Sequence, residues 1–269
     1  MREQSVNRFV SLGALVVVSF GALIAVKAFS GHGTRQAVDT AVPSADASAA
    51  GAPAAARDAA LASAAPSAVV GPLPSLNESD GEMRKALSAL FGADAIDAYL
   101  RPNAIVRHIV AFVDSLPRKH IGADAQPIKP IVGGFIATGD EQATPLAAEN
   151  AAKYTPYVAV IGKVNPKLAS DLYFHYHALF QQAYEELTKS DGRFDDRVLQ
   201  AIDGLIDAPD IRDPVLVIRR DAFYEFVDPN LEQLSVGQKF MVRLGPENAA
   251  AIKTTLRALR QSIVARSAP

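Results

Sequence analysis

Cysteine is absent from this chain, which excludes disulfides, thiolate zinc sites, a cysteine nucleophile and the acylated cysteine of a bacterial lipoprotein. Charge of one sign is scarce as well. The formal net charge is −2 over 269 residues, and no basic stripe runs through the C-terminal two thirds. A nucleic-acid interface needs several phosphate-neutralising cations on one face, so no nucleic-acid partner is expected. The familiar catalytic signatures are missing too: the sequence has no GxSxG elbow, no Walker loop, no dinucleotide glycine pattern and no HExxH. His175 and His177 stand two apart, about 200° around a helix, and cannot grip one ion together. Neither a metal nor a cofactor is expected.

What is present begins with an apolar run. Residues 9–26, FVSLGALVVVSFGALIAV, carry no charge and have only Ser11 and Ser19 as polar groups. At about 1.5 Å per residue this run reaches roughly 27 Å, close to the hydrocarbon thickness of a bilayer. A cleaved signal peptide is the competing reading, but its apolar region runs to only about 7 to 15 residues, which favours an uncleaved single-pass anchor. Residues 1–8 are then a short flank. Residues 27–76 are rich in Ala, Pro and Ser and nearly lack large aliphatics, so they cannot bury enough apolar surface to offset chain entropy and are expected to form a disordered linker. With the amino terminus inside, the expected location is the bacterial inner membrane with the domain on the periplasmic side.

Residues 77–269 read as one compact, mostly α multi-helix domain with a small β element. At its centre, Asn165 to Thr188 predicts one long amphipathic helix. Asn165 caps it, Pro166 opens it, and Leu168, Leu172, Tyr176, Leu179, Phe180, Ala183, Tyr184 and Leu187 recur at steps of three and four. Phe174 is expected on the opposite, polar side beside Gln181 and Glu185. Around this helix, Ser79 and Glu82 have capping-box spacing, Asn103 stands before the run Ile105 to Leu116, and Asp195 stands before Val198 to Ile206. Thr155-Pro156 starts a further helix. Ser235 caps another, Gly245-Pro246 separates it from the last, and the last carries Ala249, Ile252, Leu256, Leu259 and Ile263. Residues 127–140, PIKPIVGGFIATGD, suit a hairpin or extended loop. Val215 to Ile218 reads as a short strand that could partner it.

Three clusters are candidates for chemistry or binding. Glu185, Asp196 and Asp203 flank the Asp191-Gly192 turn, and two facing carboxylates are what a hydrolase would use. Helix-dipole compensation and local pairing with Arg197 account for the same residues without catalysis. Arg118 and Lys119, with His120, form the densest basic cluster in the domain and could meet an anion or a phospholipid headgroup. Gln238, Arg243 and Asn248 gather at the Gly245-Pro246 joint, where a ligand groove competes with plain capping and bracing. Phe174 completes the set as a contact for a partner.

The stretches LFQQAYEEL (Leu179–Leu187), FDDRVLQAIDGLIDAP (Phe194–Pro209) and VGQKFMVRLGPENAAAIK (Val236–Lys253) resemble the bacterial family called domain of unknown function 3014. LSALFGADA, VDSLPRKH and NAAKYTPYV are similar to the same family, so the resemblance extends from about Ser79 to Ile263. It implies membrane-anchored proteins of Gram-negative-type bacteria and assigns no activity. This chain departs from the family pattern at His177-Ala178, where an aromatic-proline pair is usual, and at Asp195, where Asn is common. The expectation is therefore an interaction or scaffolding module with an envelope protein as partner, anchored in the membrane through residues 9–26. An envelope hydrolase is the alternative, or a lipid or peptide carrier with a cavity lined by Tyr173, Tyr176 and Tyr184.

Overall fold

A computed structural model describes residues 72–120, 127, 143–220 and 223–267. The expected anchor, nearly all of the expected linker, and residues 128–140 of the expected hairpin lie outside the described residues. Among the described residues, no helix is long and apolar enough to cross a membrane.

The described chain forms eleven helices and three short strands. In order these are α1 (Asp80–Phe91), α2 (Ala93–Tyr99), α3 (Ile105–Ser115), β1 (Thr144–Pro145), α4 (Ala148–Ala152), α5 (Thr155–Ile161), α6 (Pro166–His175), α7 (His177–Thr188), α8 (Phe194–Ile206), β2 (Leu216–Arg220), β3 (Phe223–Phe226), α9 (Pro229–Glu232), α10 (Val236–Arg243) and α11 (Pro246–Ser267). The mostly helical architecture with a small β element follows the sequence expectation. The strands make one antiparallel sheet in the order β1-β2-β3, with Thr144 opposite Val217 and Val217 opposite Phe226. The strand read at Val215–Ile218 is thus displaced slightly, and β3 joins it as a partner that the sequence did not signal.

The expected single helix from Asn165 to Thr188 is two helices. Asn165 caps the first as anticipated, its side-chain oxygen accepting from Lys167 N–H at 2.9 Å and Leu168 N–H at 3.3 Å. At Tyr176 the backbone leaves helical geometry (φ −97°, ψ 12°), and its carbonyl accepts from both Leu179 N–H at 3.0 Å and Phe180 N–H at 3.2 Å. That i→i+3 bond tightens the turn locally and bends the rod. Its middle runs through the core, with Tyr173, Tyr176, Leu179, Phe180 and Ala183 all buried, while Leu168 is 37% and Leu187 46% exposed at the two ends.

Packing surrounds that middle on several sides. α7 lies on α3, α6 lies on α11, and α8 contacts α3, α10 and α11. Tyr173 stacks on Phe180 with ring centroids 5.7 Å apart, Phe180 stacks on Phe194 at 6.0 Å, and Tyr184 tilts against Phe194 at 5.4 Å. Offset and edge contacts of this kind add to the large area that each ring removes from water. Val217 and Phe226 on the inner face of the sheet pack with Val242 of α10 into a second, smaller cluster.

Several helix starts are closed by residues distant in sequence. Asp80 reaches across from α1, its carboxylate accepting Ala104 N–H and Ile105 N–H at 2.8 Å each, so it and not Asn103 caps α3. Ser79 forms no capping box and instead donates to the Leu76 carbonyl at 2.9 Å. Asp195 does not cap α8. Gln181 of α7 takes Phe194 N–H at 2.8 Å and donates to the Gly192 carbonyl at 2.9 Å.

At α10 the expected cap is present, Ser235 and Gln238 forming a reciprocal capping box. Its next two amides go elsewhere: Val236 N–H donates to the Arg118 carbonyl at 2.8 Å and Gly237 N–H to the Leu116 carbonyl at 3.0 Å. The frayed end of α3 thereby supplies acceptors that the start of α10 lacks. Glycine suits this approach, since a Cβ at Gly237 would stand 2.9 Å from Leu205 Cδ2 and 3.3 Å from the Leu116 oxygen and both would have to give way.

Candidate functional site

The carboxylates proposed for hydrolysis are each occupied or set apart. Asp203 is held at two points by Arg260, at 2.6 and 3.2 Å. Glu185 accepts from the Gln181 amide at 2.8 Å on the surface of α7. Asp196 sits exposed in the first turn of α8, where its charge offsets the helix dipole. Arg197 does not pair locally with an acid. It crosses to α3, donating from Nε to the Asp114 carboxylate at 2.9 Å and from Nη2 to the Asp114 carbonyl at 2.6 Å.

Asp114 is the buried acid that the sequence reading passed over. The side chains of Asp114 and Arg197 are only 8% and 16% exposed, and a buried acid must be paired to be tolerated. The signal was there: one acid on the otherwise apolar face of IVRHIVAFVDSL. Arg118, put forward as a contact for anions, closes on the same carboxylate at 2.5 Å. Lys119 and His120 remain exposed beside it.

Phe174 is not free on a polar face. It is half-buried, its ring 5.2 Å from Tyr173 in an edge contact, with the Arg266 guanidinium carbon over the ring 4.8 Å from its centre. The C-terminal helix thus places Arg266 on the ring proposed as a contact for a partner.

The carboxylate that does gather partners is Asp195. Tyr173 donates to its Oδ1 at 2.5 Å, His177 Nε2 lies 3.0 Å from the same oxygen, and Arg193 donates to Oδ2 at 2.9 Å. Burial alone would raise its pKa, but the Tyr173 and Arg193 hydrogen bonds and the His177 charge outweigh that and hold it below the ordinary aspartate value. The Tyr173 phenol is raised by burial and by its bond to Asp195, and therefore stays protonated. An ionised acid holding a protonated phenol is a structural clasp between α6 and α8.

The Gly245-Pro246 joint resolves into two parts. Gln238 is spent in the capping box. Asn248 donates to the Ala151 and Leu244 carbonyls at 3.0 Å each, and Gly245 takes a φ of +80°, where an added Cβ would stand 3.1 Å from Ala151 Cβ. Those residues brace the joint. Arg243 is different: it ends α10 with its guanidinium carbon 5.1 Å from the Phe226 ring centre, and Nη2 donates to the Tyr224 carbonyl at 3.0 Å. Its Nε is buried without a hydrogen-bond partner.

Glu232 is the acid whose charge reaches Arg243, but both its oxygens are taken. Lys239 pairs with Oε1, and Phe226 N–H donates to Oε2 at 2.8 Å. Burial lowers the Arg243 pKa, with the Tyr154 phenol and Glu232 acting the other way. Tyr154, at the start of α5, packs edge-on against Phe240 at 5.7 Å. Its phenol is raised by burial, and the positive charge of Arg243 opposes that rise. The sequence marked Arg243 by polar density alone. Its stacking on β3 and its relation to Tyr154 depend on tertiary packing.

Among the described residues no group of three or more His, Asp or Glu is placed to hold a metal ion. Comparison with curated proteins and with solved structures returned no match. A family model described as "Protein of unknown function (DUF3014)" matches residues 105–260, more than half of the chain. The matched range takes in α3 with its buried Asp114, the bent α6–α7 rod and the joint that carries Arg243, and on that match the chain belongs to the DUF3014 family.

Proposed function

We propose that this chain is a binding module of the bacterial envelope, tethered to the inner membrane by residues 9–26 and carrying its helical domain on the periplasmic side through the Ala/Pro/Ser-rich linker. The observation that carries a binding role over catalysis is how the acids are used. Asp203 and Asp195 are held in ion pairs, Glu185 is engaged by Gln181, and Asp196 serves a helix start. A hydrolase needs two carboxylates facing a shared space with one free to exchange a proton. A carrier role is disfavoured by the Tyr173 ring, which Phe174, His177, Phe180 and Phe194 surround at centroid distances of 5.2 to 6.4 Å. The apolar run and the low-complexity spacer in the sequence support the tether.

The test is a topology reporter fused to the C-terminus, combined with crosslinking in intact membranes from photoreactive residues at exposed positions such as Lys119 and Leu216. Extracytoplasmic reporter activity and one recurrent crosslinked protein are expected. Recovery of the chain in the soluble fraction overturns the tether, and absence of any recurrent adduct from either position overturns the binding role.

A further inference from the structure

Arg118, Lys119 and His120 stand exposed in succession where α3 ends. An ordinary helix exit with such side chains is a solvated, loosely held tail. This one is braced. Arg118 N–H donates to the Ser115 carbonyl at 3.0 Å, its own carbonyl accepts Val236 N–H at 2.8 Å from the start of α10, and its Nε donates to the Asp114 carbonyl at 3.2 Å. The cations are therefore carried on a backbone fixed by two helices.

Charge at this corner is not balanced by ion pairs. Arg118, Lys119 and Arg197 are three cations, and among the described residues Asp114 is the one carboxylate paired with any of them. Asp114 also sets the direction of Arg118. Nη2 lies 2.5 Å from its buried Oδ2 and Nε reaches its carbonyl, so the Nε–Nη2 edge of the guanidinium is turned inward. Nη1 is left without a partner among the described residues, on a side chain 54% exposed. Lys119 and His120 have neither hydrogen bond nor ion pair among the described residues. A guanidinium held in place in this way loses less freedom on meeting a planar carboxylate than a free one does.

We propose that Arg118 and Lys119, with His120 beside them, form the contact for an acidic segment of a partner protein, one that carries several Asp or Glu side chains in close succession. This deepens the binding-module reading by naming the partner's chemistry, and rests on it in taking the domain to be a binder. An exposed corner gives a single small anion little, since water and salt screen each pair, whereas carboxylates linked on one chain engage several cations together. The bilayer is the other extended anion, and the place where the chain enters the domain weighs against it. The described residues begin eight positions before Asp80, which caps the opposite end of α3. Eleven residues of α3 at about 1.5 Å each set its two ends about 16 Å apart. A linker arriving at the Asp80 end leaves the cations on the far side, where a partner protein meets them.

The experiment titrates the full chain, in uncharged detergent, with fluorescein-labelled hexaglutamate and with hexaglutamine as the neutral control. Saturable binding of hexaglutamate alone is expected, weaker at higher salt. Lys119→Glu should lower the affinity about threefold or more, and Arg118 is left untouched because it serves Asp114. Lys85→Glu makes the same change of charge at an exposed, unpaired position on α1 and should lower it less than about twofold. Equal weakening by the two variants, or no saturable binding, overturns the proposal. A second arm follows amine labelling of Lys119 by mass spectrometry in nanodiscs of phosphatidylcholine with and without phosphatidylglycerol. Equal labelling in the two is expected, and protection by phosphatidylglycerol assigns the cations to lipid and overturns the proposal. Both arms are independent of the crosslinking result: a partner recovered in membranes with no hexaglutamate binding removes this surface and leaves the binding module intact.

Discussion

The Tyr173 hydroxyl and the His177 ring converge on one oxygen of Asp195, at 2.5 and 3.0 Å, across the bend that divides α6 from α7. That single carboxylate, carried by α8, thus joins α6 and α7 to α8, and Arg193 just before α8 takes its other oxygen.

The first prediction concerns acid. The pKa of Asp195 is depressed in the folded chain, so its contribution to stability is fully present above the ordinary aspartate value and is lost as pH falls through the depressed one. Asp195→Asn therefore lowers stability at neutral pH and makes the acid limb below about pH 4 shallower. Urea unfolding at a series of pH values measures this. Parallel limbs for the two proteins would show that the carboxylate charge is not held in the fold.

A second prediction contrasts two ion pairs. Removing Arg197, as Arg197→Met, leaves Asp114 with the half-exposed Arg118 as its remaining cation and costs about 3 kcal/mol or more. Arg84→Met, which breaks an exposed pair with Asp97, costs about 1 kcal/mol or less. Denaturant midpoints for both variants test the ranking, and equal effects would remove the special standing of Asp114.

Third, two glycines within helices should respond with opposite sign. Gly237→Ala forces a Cβ against Leu205 and the Leu116 carbonyl and costs about 1 to 3 kcal/mol. Gly204 in α8 has nothing within 4 Å of an added Cβ, so Gly204→Ala is neutral or stabilises by up to about 1 kcal/mol. Thermal unfolding of the pair distinguishes a steric requirement at 237 from a general tolerance of side chains.

The fourth prediction tests capping at a distance. Asp80→Ala removes the acceptor for Ala104 N–H and Ile105 N–H and costs about 1 to 2 kcal/mol, whereas Asn103→Ala, the residue that sequence spacing nominates, costs a few tenths. Hydrogen exchange at Ala104 and Ile105 should accelerate in the Asp80 variant and stay unchanged in the Asn103 one.

These residues also show where reading the sequence succeeds. Asn165-Pro166 and the Ser235 cap were legible because donor and acceptor lie within three residues, and such geometry is written in spacing. Asp80 above α3 and Gln181 below α8 were not, because each cap comes from a different helix and depends on how the helices are arranged. The aromatic core of the central rod was legible from its period, while its bend at Tyr176 was not, since no proline or glycine marks it. β3 escaped for a related reason: four residues carry too little pattern, and their strand conformation is imposed by pairing with β2 and by Arg243 and Glu232 along its outer edge. At the candidate site the sequence offered capping and bracing as one reading of Gln238 and Asn248, and both are engaged in such local bonds, but spacing could not separate Arg243 from them.

The meeting of Leu116 and Arg118 with Val236 and Gly237 has a further result for biosynthesis. A ribosome must release the segment after residue 237 before the C-terminal end of α3 finds its acceptors' partners, so the early helices wait with apolar flanks uncovered. Contacts of such long sequence separation slow closure and lengthen exposure of sticky intermediates. Until its final two helices emerge, the nascent domain therefore has no covering within its own chain for the end of α3.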